Sequence, residues 1–182
     1  MPSVKGSLFV DFVKTIRANK TGAYDSYLFD EDRKVLEGRI LPSSWYPFET
    51  YKRCFQAVGK VVAHGSDSVY RGWGRQFCDE IMLSIYKRML SDTSPMQTMR
   101  RYVSMFSMFY DFGTLELEER SENEVVLAFR DFDRDFAELY QLFYGWIERS
   151  LELSGAKDVQ MNFLTCSWLG APDTRFQIQW TA

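Results

Sequence analysis

Histidine and cysteine, the side chains most often used as nucleophiles, bases or metal ligands, are scarce in this chain of 182 residues. The single histidine, His64, precedes Gly65 in a connector, where a solvated helix-end residue is expected rather than a ligand. Cys54, Cys78 and Cys166 are widely spaced, which predicts buried free thiols rather than a disulfide framework or a CxxC metal site. Every Ser-His-Asp or Cys-His arrangement would need His64, and no nucleophile is placed beside it.

Carboxylates are the remaining candidates for acid and base chemistry. Acidic pairs occur at Asp79/Glu80 and at Glu116/Glu118, but charged residues outside an apolar stripe usually belong to a solvated face. We therefore expect a protein that is not an enzyme, with no catalytic residues, no metal site and no cofactor.

The composition bounds the class of protein. With 46% hydrophobic and 16% aromatic residues, the chain can bury a substantial core as one domain. A net charge of −3 lacks the basic excess that nucleic acids attract, so we expect no nucleic-acid partner. The sequence contains no apolar run long enough for a transmembrane segment and no secretory signal pattern, which predicts a cytoplasmic location.

The last third of the chain changes from a helical to a strand pattern at Gly155. Before Gly155, apolar residues recur every three or four positions along a helix that Asp133 is predicted to cap. They are Phe136, Leu139, Tyr140, Phe143, Trp146, Ile147 and Leu151. After Gly155, residues 159–163 and 176–180 alternate apolar and polar side chains around a turn at 170–173, which predicts a β-hairpin.

The first 111 residues are predicted to be mainly helical. Helices are expected near residues 8–16, 47–62, 67–89 and 96–110. The longest carries an apolar side chain at every fourth position: Val69, Trp73, Phe77, Ile81, Ile85 and Met89. Gly72 and Gly74 in its first turns lack side chains, and both are predicted to let another backbone come close. The proline-bounded connector between the first two of these helices contains Trp45 and Tyr46, which we expect to be packed.

A second hairpin precedes the C-terminal helix. Leu115 and Leu117 alternate opposite Val125, Leu127 and Phe129, with the turn at residues 121–123. The order of helices, hairpin, helix and hairpin predicts an α+β fold with a four-stranded antiparallel sheet. We expect a single domain over residues 1–182, helical in 1–111 and hairpin-helix-hairpin in 113–181.

Several short stretches resemble known families. Residues 4–13 are similar to the first helix of heme-nitric-oxide/oxygen-binding (H-NOX) domains. Residues near the end of the chain resemble the vinyl-reductase (V4R) sensory domain and the vesicle-tethering TRAPP subunits. They are Gly145–Ile147, Gly155–Lys157, Cys166, Gly170, Phe176 and Trp180. Residues 40–47 and the Gly-x-Gly-Arg run at 72–75 look like an uncharacterised family found mainly in myxobacteria and related predatory bacteria.

These resemblances imply a fold shared by NO-signalling and Golgi-transport ligand-binding domains. In that fold, helices pack on one sheet around a site for heme, small apolar molecules, acyl chains or protein contacts. Heme binding in the resembling family needs a late axial histidine and a Tyr-x-Ser-x-Arg run, and this sequence has neither. Zinc-holding V4R sensors use several cysteines around the last hairpin, where this chain has Cys166 and then Asp173 or Thr174, so no zinc site is expected.

Two functions remain open. The first is a sensory or carrier module of bacterial signalling that encloses an apolar ligand beside Met96–Tyr110, a segment rich in methionine and phenylalanine. The same residues also suit a packed core without a ligand. The predicted pocket residues are Phe55, Trp73, Phe77, Met105, Phe106, Phe109, Phe143 and Trp146.

The second function is a protein-interaction or scaffold module without a ligand, most simply a homodimer. Residues 96–110 carry apolar side chains on two faces, more than one core contact requires. A Met105→Arg change would abolish ligand uptake in the first case and split the oligomer in the second.

Overall fold

The computed structural model describes residues 1–84 and 94–181. The α-helices within these residues are α1 (Gly6–Ala18), α2 (Asp30–Glu37), α3 (Phe48–Val58), α4 (Asp67–Ser84), α5 (Pro95–Phe109) and α6 (Ala137–Leu153). The strands are β1 (Ser3–Lys5), β2 (Trp45–Pro47), β3 (Thr114–Ser121), β4 (Glu124–Arg130), β5 (Lys157–Thr165) and β6 (Thr174–Thr181). The predicted α+β class and the late hairpin-helix-hairpin order are confirmed. Ile85 and Met89 of the predicted α4 stripe lie outside the described residues.

The chain divides into two compact units. The first contains Met1–Ser66 and Ser107–Phe112, and the second contains Asp67–Phe106 and Gly113–Ala182. The expectation of a single domain stays a prediction. Of the described helices, none is long and apolar enough to cross a membrane.

In the first unit, the connector before β2 caps the start of α1. The N–H groups of Gly6 and Ser7 donate to carbonyl oxygens in residues 42–44 at 2.9 and 3.0 Å. The Lys5 ammonium donates to a third carbonyl of this segment at 3.0 Å. Because the first N–H groups of a helix have no partner within it, these contacts explain why the connector lies against α1.

Strands β1 and β2 form a small antiparallel sheet that was not predicted. Each strand has only three residues, too few for an alternating pattern to be recognised in the sequence. Tyr46 packs edge-on against Phe9 at 5.7 Å between ring centroids, as expected. Trp45 instead stays 42% exposed, and the Lys5 ammonium lies 4.0 Å from the centre of its ring.

Helices α2 and α3 are joined by a buried ion pair. The Asp32 carboxylate is fully buried and accepts hydrogen bonds from Arg53 Nε and Nη2, each at 2.8 Å. The Phe29 N–H donates to the same carboxylate at 2.9 Å, which caps the start of α2. The sequence between residues 24 and 40 was weakly periodic, and this polar anchor explains why α2 forms there without a wide apolar face.

Helix α3 continues into a π-helical turn at Gly59–Ala63 and ends at His64 and Gly65, with φ of 50° and 76°. The extra residue in this turn rotates the following side chains away from the apolar stripe. Val62 would share the buried face with Val58, four residues earlier, in a regular α-helix, but it is 48% exposed.

The second unit contains the predicted four-stranded sheet, entirely antiparallel and ordered β3-β4-β6-β5. Leu127 of β4 lies opposite Leu117 and Phe176, which places the apolar residues of both hairpins on one face. Helix α6 packs on this face, where the Phe129 and Phe143 rings stack at 5.0 Å. Gly155 ends α6 with φ of 96°, as predicted.

The expected N-cap of α6 is wrong. The helix begins at Ala137 after Phe136, whereas the Asp133 carboxylate accepts a hydrogen bond from the Asp135 N–H at 3.0 Å in the preceding turn. Asp133 still contributes to the helix start, because its carbonyl accepts a hydrogen bond from the Tyr140 hydroxyl at 2.7 Å.

Candidate functional site around helix α5

Helix α5 is held in the second unit mainly by large side chains. Ser94 caps its first turn, with its hydroxyl 3.4 Å from the Gln97 N–H, and Pro95 is its first residue. Its buried residues in this unit are Met99, Met105 and Phe106, together with the polar Thr98. Helices α4 and α6 pack with their backbones close together. No described element brings its backbone as close to α5. Methionine and phenylalanine side chains therefore span the space between α5 and its neighbours.

Phe106 is the centre of this contact. Its ring lies 5.8 Å from Phe129 on β4, 5.4 Å from Phe132 in the following loop and 6.5 Å from Phe143 on α6. All these contacts are edge-to-face, the preferred arrangement for aromatic pairs at such distances. Apart from Thr98, the buried side chains of α5 in this unit are apolar, and those of methionine are flexible enough to repack.

A small polar edge borders the aromatic cluster. Tyr102 on α5 contacts Trp146 edge-on at 6.3 Å. Burial raises the pKa of the Tyr102 phenol, and the nearby Cys78 raises it further. Cys78 lies 3.2 Å from the Ser150 hydroxyl, and burial raises the pKa of its thiol to about 11. Both groups are thus neutral at physiological pH, and the edge offers weak hydrogen-bonding groups but no charge.

The predicted pocket residues fall into both units. Phe55 and Phe109 belong to the first unit, where Phe55 packs against Phe12 at 4.8 Å. The other six belong to the second unit. Of these, Met105, Phe106, Phe143 and Trp146 lie at the α5 contact, whereas Trp73 packs on Tyr70 of its own helix at 5.3 Å. Phe77 on α4 is half-buried. Ligand binding by the eight residues stays a prediction.

Four residues of the site were not among the predicted pocket residues. Phe132 was not assigned because it lies in an acidic loop, Asp131 to Asp135, without periodicity. Tyr102 belongs to the neutral polar edge, but it was not among the predicted pocket residues. Met99 and Phe129 were placed in the right elements but not at the site. The turn at Gly113 holds Phe132 in place: with φ of 70°, a Cβ added there would lie 2.8 Å from the Phe132 ring.

The acidic pairs considered for acid and base chemistry are engaged by other side chains. Arg149 binds Asp79 at 2.7 Å, and Arg130 binds Glu116 at 2.5 Å. Glu80 accepts from Gln76 at 2.8 Å. Within the described residues, no group of three or more His, Cys, Asp or Glu side chains is arranged to hold a metal ion.

Two clefts in the described part of the second unit are lined largely by charged residues. One of about 430 Å³ lies at the start of α5, where Arg100 forms two hydrogen bonds of 2.7 Å with Glu119 of β3. Another of about 280 Å³ lies on the outer face of the sheet above Val126 and Ala128. Neither is lined by the predicted apolar pocket residues.

The fold is similar to that of H-NOX proteins of known structure over nearly the whole chain. The S. oneidensis H-NOX protein in the Fe(II)NO state gives a TM-score of 0.69 at 12% identity, covering 98% of this chain and 99% of the other. The Fe(II) unliganded K. algicida protein gives 0.67 at 12% identity, with 98% and 97% covered. A mutant of T. tengcongensis H-NOX gives 0.63 at 15% identity, with 98% covered in both chains. The resemblance to V4R and TRAPP domains stays a prediction.

The donors among the described residues do not fit the heme iron that the H-NOX fold implies. The single histidine, His64, is exposed in the first unit and is not part of the α5 site. Within the site, Cys78 and Tyr102 retain their protons, whereas iron ligation uses a thiolate or tyrosinate. Met99 is fully buried but lacks the histidine with which methionine shares the iron in cytochromes c.

Sequence comparison places the chain in a family. No curated protein matches the sequence. The model of a family described as a protein of unknown function, DUF2378, matches residues 32–181, which include most of α2, all of α3 to α6 and both hairpins. The chain therefore belongs to the DUF2378 family and has an H-NOX-like fold.

Proposed function

We propose that this protein is a non-enzymatic sensory module that binds a small apolar molecule, not heme, between α5 and the aromatic face of the sheet. The observation that carries the proposal is the way α5 is held: methionine and phenylalanine side chains separate it from its neighbours. Flexible side chains of this kind can rearrange around a bound molecule. The free-energy cost is lower than for separating two helices whose backbones are in close contact, such as α4 and α6.

The chemistry of the site supports an uncharged ligand. Met99, Met105 and Phe106 present only apolar surface, and the neutral Tyr102 and Cys78 offer hydrogen bonds without charge. A charged group placed here would lose its hydration without gaining an ionic partner. The ligand class is therefore a neutral apolar molecule or the alkyl part of an acyl chain.

The H-NOX-like fold supports a sensory role by analogy of architecture. The S. oneidensis relative is an H-NOX protein in an Fe(II)NO state, so this architecture accommodates a small-molecule site in that protein. In the present chain, a site in the same fold would have to use side chains other than an axial histidine.

The experiment is a ligand test with a matched pair of arginine variants. Met105 is 9% exposed, whereas the preceding Ser104 is exposed on the same helix. Freshly purified wild-type protein would be examined by native mass spectrometry, and dodecanol, dodecanoate and hemin would be titrated while Tm is recorded. We expect dodecanol to raise Tm of the wild type and of Ser104→Arg, but not of Met105→Arg.

A second variant separates loss of the site from loss of the fold. Met105→Gln keeps the side-chain length while adding an amide that the apolar layer cannot pair, so a weaker response to dodecanol is expected. The proposal is wrong if no apolar probe binds the wild type, if Met105→Arg binds as well as Ser104→Arg, or if hemin binds stoichiometrically.

A homodimeric interaction module remains the second candidate. It is favoured by Met108, a large apolar side chain of α5 that is 48% exposed. If this helix pairs with a second copy, Met108→Arg would lower the mass measured by light scattering while leaving dodecanol binding unchanged.

A further inference from the structure

The two edges of the four-stranded sheet differ in chemistry. Edge strand β3 contains Glu116, Glu118, Glu119 and Arg120. Charged side chains are one of the usual means by which proteins prevent edge strands from pairing with other chains. Edge strand β5 has no charge from Val159 to its end at Thr165, and the next charged residue along the chain is Asp173.

Strand β5 also has exposed apolar residues at its end. Leu164 is 50% exposed, and Leu169, in the turn that follows, is 78% exposed. Among the described residues, β6 is the one strand that pairs with β5. The regular part of that pairing is Gln160–Phe163, with a register shift on either side. This short segment is the part of β5 geometrically suited to accept another strand.

We propose that β5 is a dimerisation edge that pairs antiparallel with β5 of a second copy of this chain, so that the two sheets become continuous. The occupant follows from the pattern of the strand itself. A two-fold axis at Met161 sets Gln160 opposite Asn162 of the second copy, and Met161 opposite Met161. Amides then meet amides on the outer face, and apolar side chains meet apolar side chains on the face that carries α6.

The register is restricted by the alternation of the strand. A shift by one residue would place Met161 opposite Asn162 and set the helix-bearing faces of the two sheets on opposite sides. The Tyr144 hydroxyl donates to the Met161 carbonyl at 3.0 Å, and that oxygen keeps a second lone pair for another donor. Asp158, with φ of 48°, is turned out of the regular ladder and bonded to Thr181 at 2.9 Å, so its charge does not interrupt the segment.

The pairing can be tested by complementary charges. Gln160 and Asn162 are exposed, so changing them leaves the core of the second unit intact. In the double variant Gln160→Lys/Asn162→Lys, each lysine faces a lysine of the second copy, and the dimer Kd is expected to rise about tenfold. Gln160→Glu/Asn162→Glu is expected to weaken it similarly, whereas an equimolar mixture of the two variants should recover a heterodimer. Gln160→Thr/Asn162→Thr is the neutral control and should still dimerise.

The readouts are mass by light scattering over a dilution series and amide hydrogen exchange in β5. Wild-type protein is expected to have twice the 21.4 kDa mass of the chain at micromolar concentration. Its β5 amides that do not pair with β6 are expected to lose protection on dilution. The proposal would be overturned by a monomeric wild type, by lysine and glutamate variants that dimerise like the wild type, or by a mixture that remains monomeric. A monomer whose β5 amides are protected only on adding another protein would point to a different extended chain.

Discussion

Gly74 of α4 and Gly145 of α6 form a reciprocal close contact between two helices. A Cβ on Gly74 would overlap the Leu142 carbonyl and lie 2.8 Å from the Trp146 nitrogen, and a Cβ on Gly145 would overlap the Arg71 carbonyl. Both obstacles are backbone atoms of rigid helices, which cannot move aside as a flexible side chain can. The two glycines thus set the distance at which α4 and α6 pack.

Gly74→Ala is expected to destabilise the protein by about 2 kcal/mol, since overpacking against backbone outweighs the better helix propensity of alanine. Gly72 provides a matched control on the same helix. It is exposed, and a Cβ there would meet no atom within 4 Å, so the predicted close approach at Gly72 was wrong. Gly72→Ala is expected to stabilise by up to about 1 kcal/mol. Urea unfolding at neutral pH measures both, and equal effects at the two positions would refute the packing argument.

The buried Asp32–Arg53 pair predicts a dependence of stability on acid. Burial alone would raise the pKa of Asp32, but hydrogen bonds from Arg53, the Phe29 N–H and Thr50 outweigh it and lower the pKa below its usual value. A carboxyl with a lowered folded-state pKa stabilises the fold above its unfolded pKa of about 4, and this contribution is lost as pH falls through the folded pKa.

Asp32→Asn is therefore expected to cost about 3 kcal/mol at pH 7, because it removes the buried carboxylate partner of the largely buried Arg53 guanidinium and leaves it only the exposed Glu31 carboxylate. The cost would shrink in acid, where the wild type loses the same interaction. Asp11→Asn, which breaks the exposed Lys14–Asp11 pair, is the control and is expected to change stability by less than about 0.5 kcal/mol. Chemical unfolding at several pH values decides between these outcomes. A cost for Asp32→Asn that does not change with pH would contradict the linkage.

The strands with alternating apolar and polar residues and the amphipathic helices were predictable, because each of these patterns indicates one type of secondary structure. Phe176, Ile178 and Trp180 alternate in β6 as expected, with exposed fractions of 0 to 5%. The predictions that were wrong or absent have local physical causes. Val62 left the buried face because a π-helical turn changed the period, and β1 and β2 are too short to produce a pattern. In the α5 site, the helix and its methionines could be predicted from the sequence. The loop residue Phe132 could not, because its burial depends on contacts with Phe106 and Phe143.

The thiols predict a simple order of chemical reactivity. Cys54 and Cys78 are fully buried, and burial raises their thiol pKa values to about 12 and about 11, so little thiolate forms at pH 8. Cys166 is partly exposed, and burial raises its pKa less. A maleimide or Ellman reagent is therefore expected to modify Cys166 first in the native protein and all three cysteines in urea. Mass spectrometry of the labelled peptides gives the order, and rapid native labelling of Cys78 would show that the edge of the α5 site opens to solvent.

Removal of the Phe106 ring tests whether the side chains between α5 and its neighbours can rearrange to accommodate a bound molecule. Phe106 is 6% exposed and contacts the rings of Phe129, Phe132 and Phe143, so Phe106→Ala would cost about 3–5 kcal/mol in a layer that does not repack, and less in the adaptable layer that we expect. If the methionines of α5 do not fill the space, the apolar cavity should bind benzene, which would restore part of the lost stability. If Met99 and Met105 move into the space instead, the cost would fall below this range and benzene would have no effect. The first outcome indicates a rigid layer, and the second indicates the adaptable layer that the proposed apolar site requires.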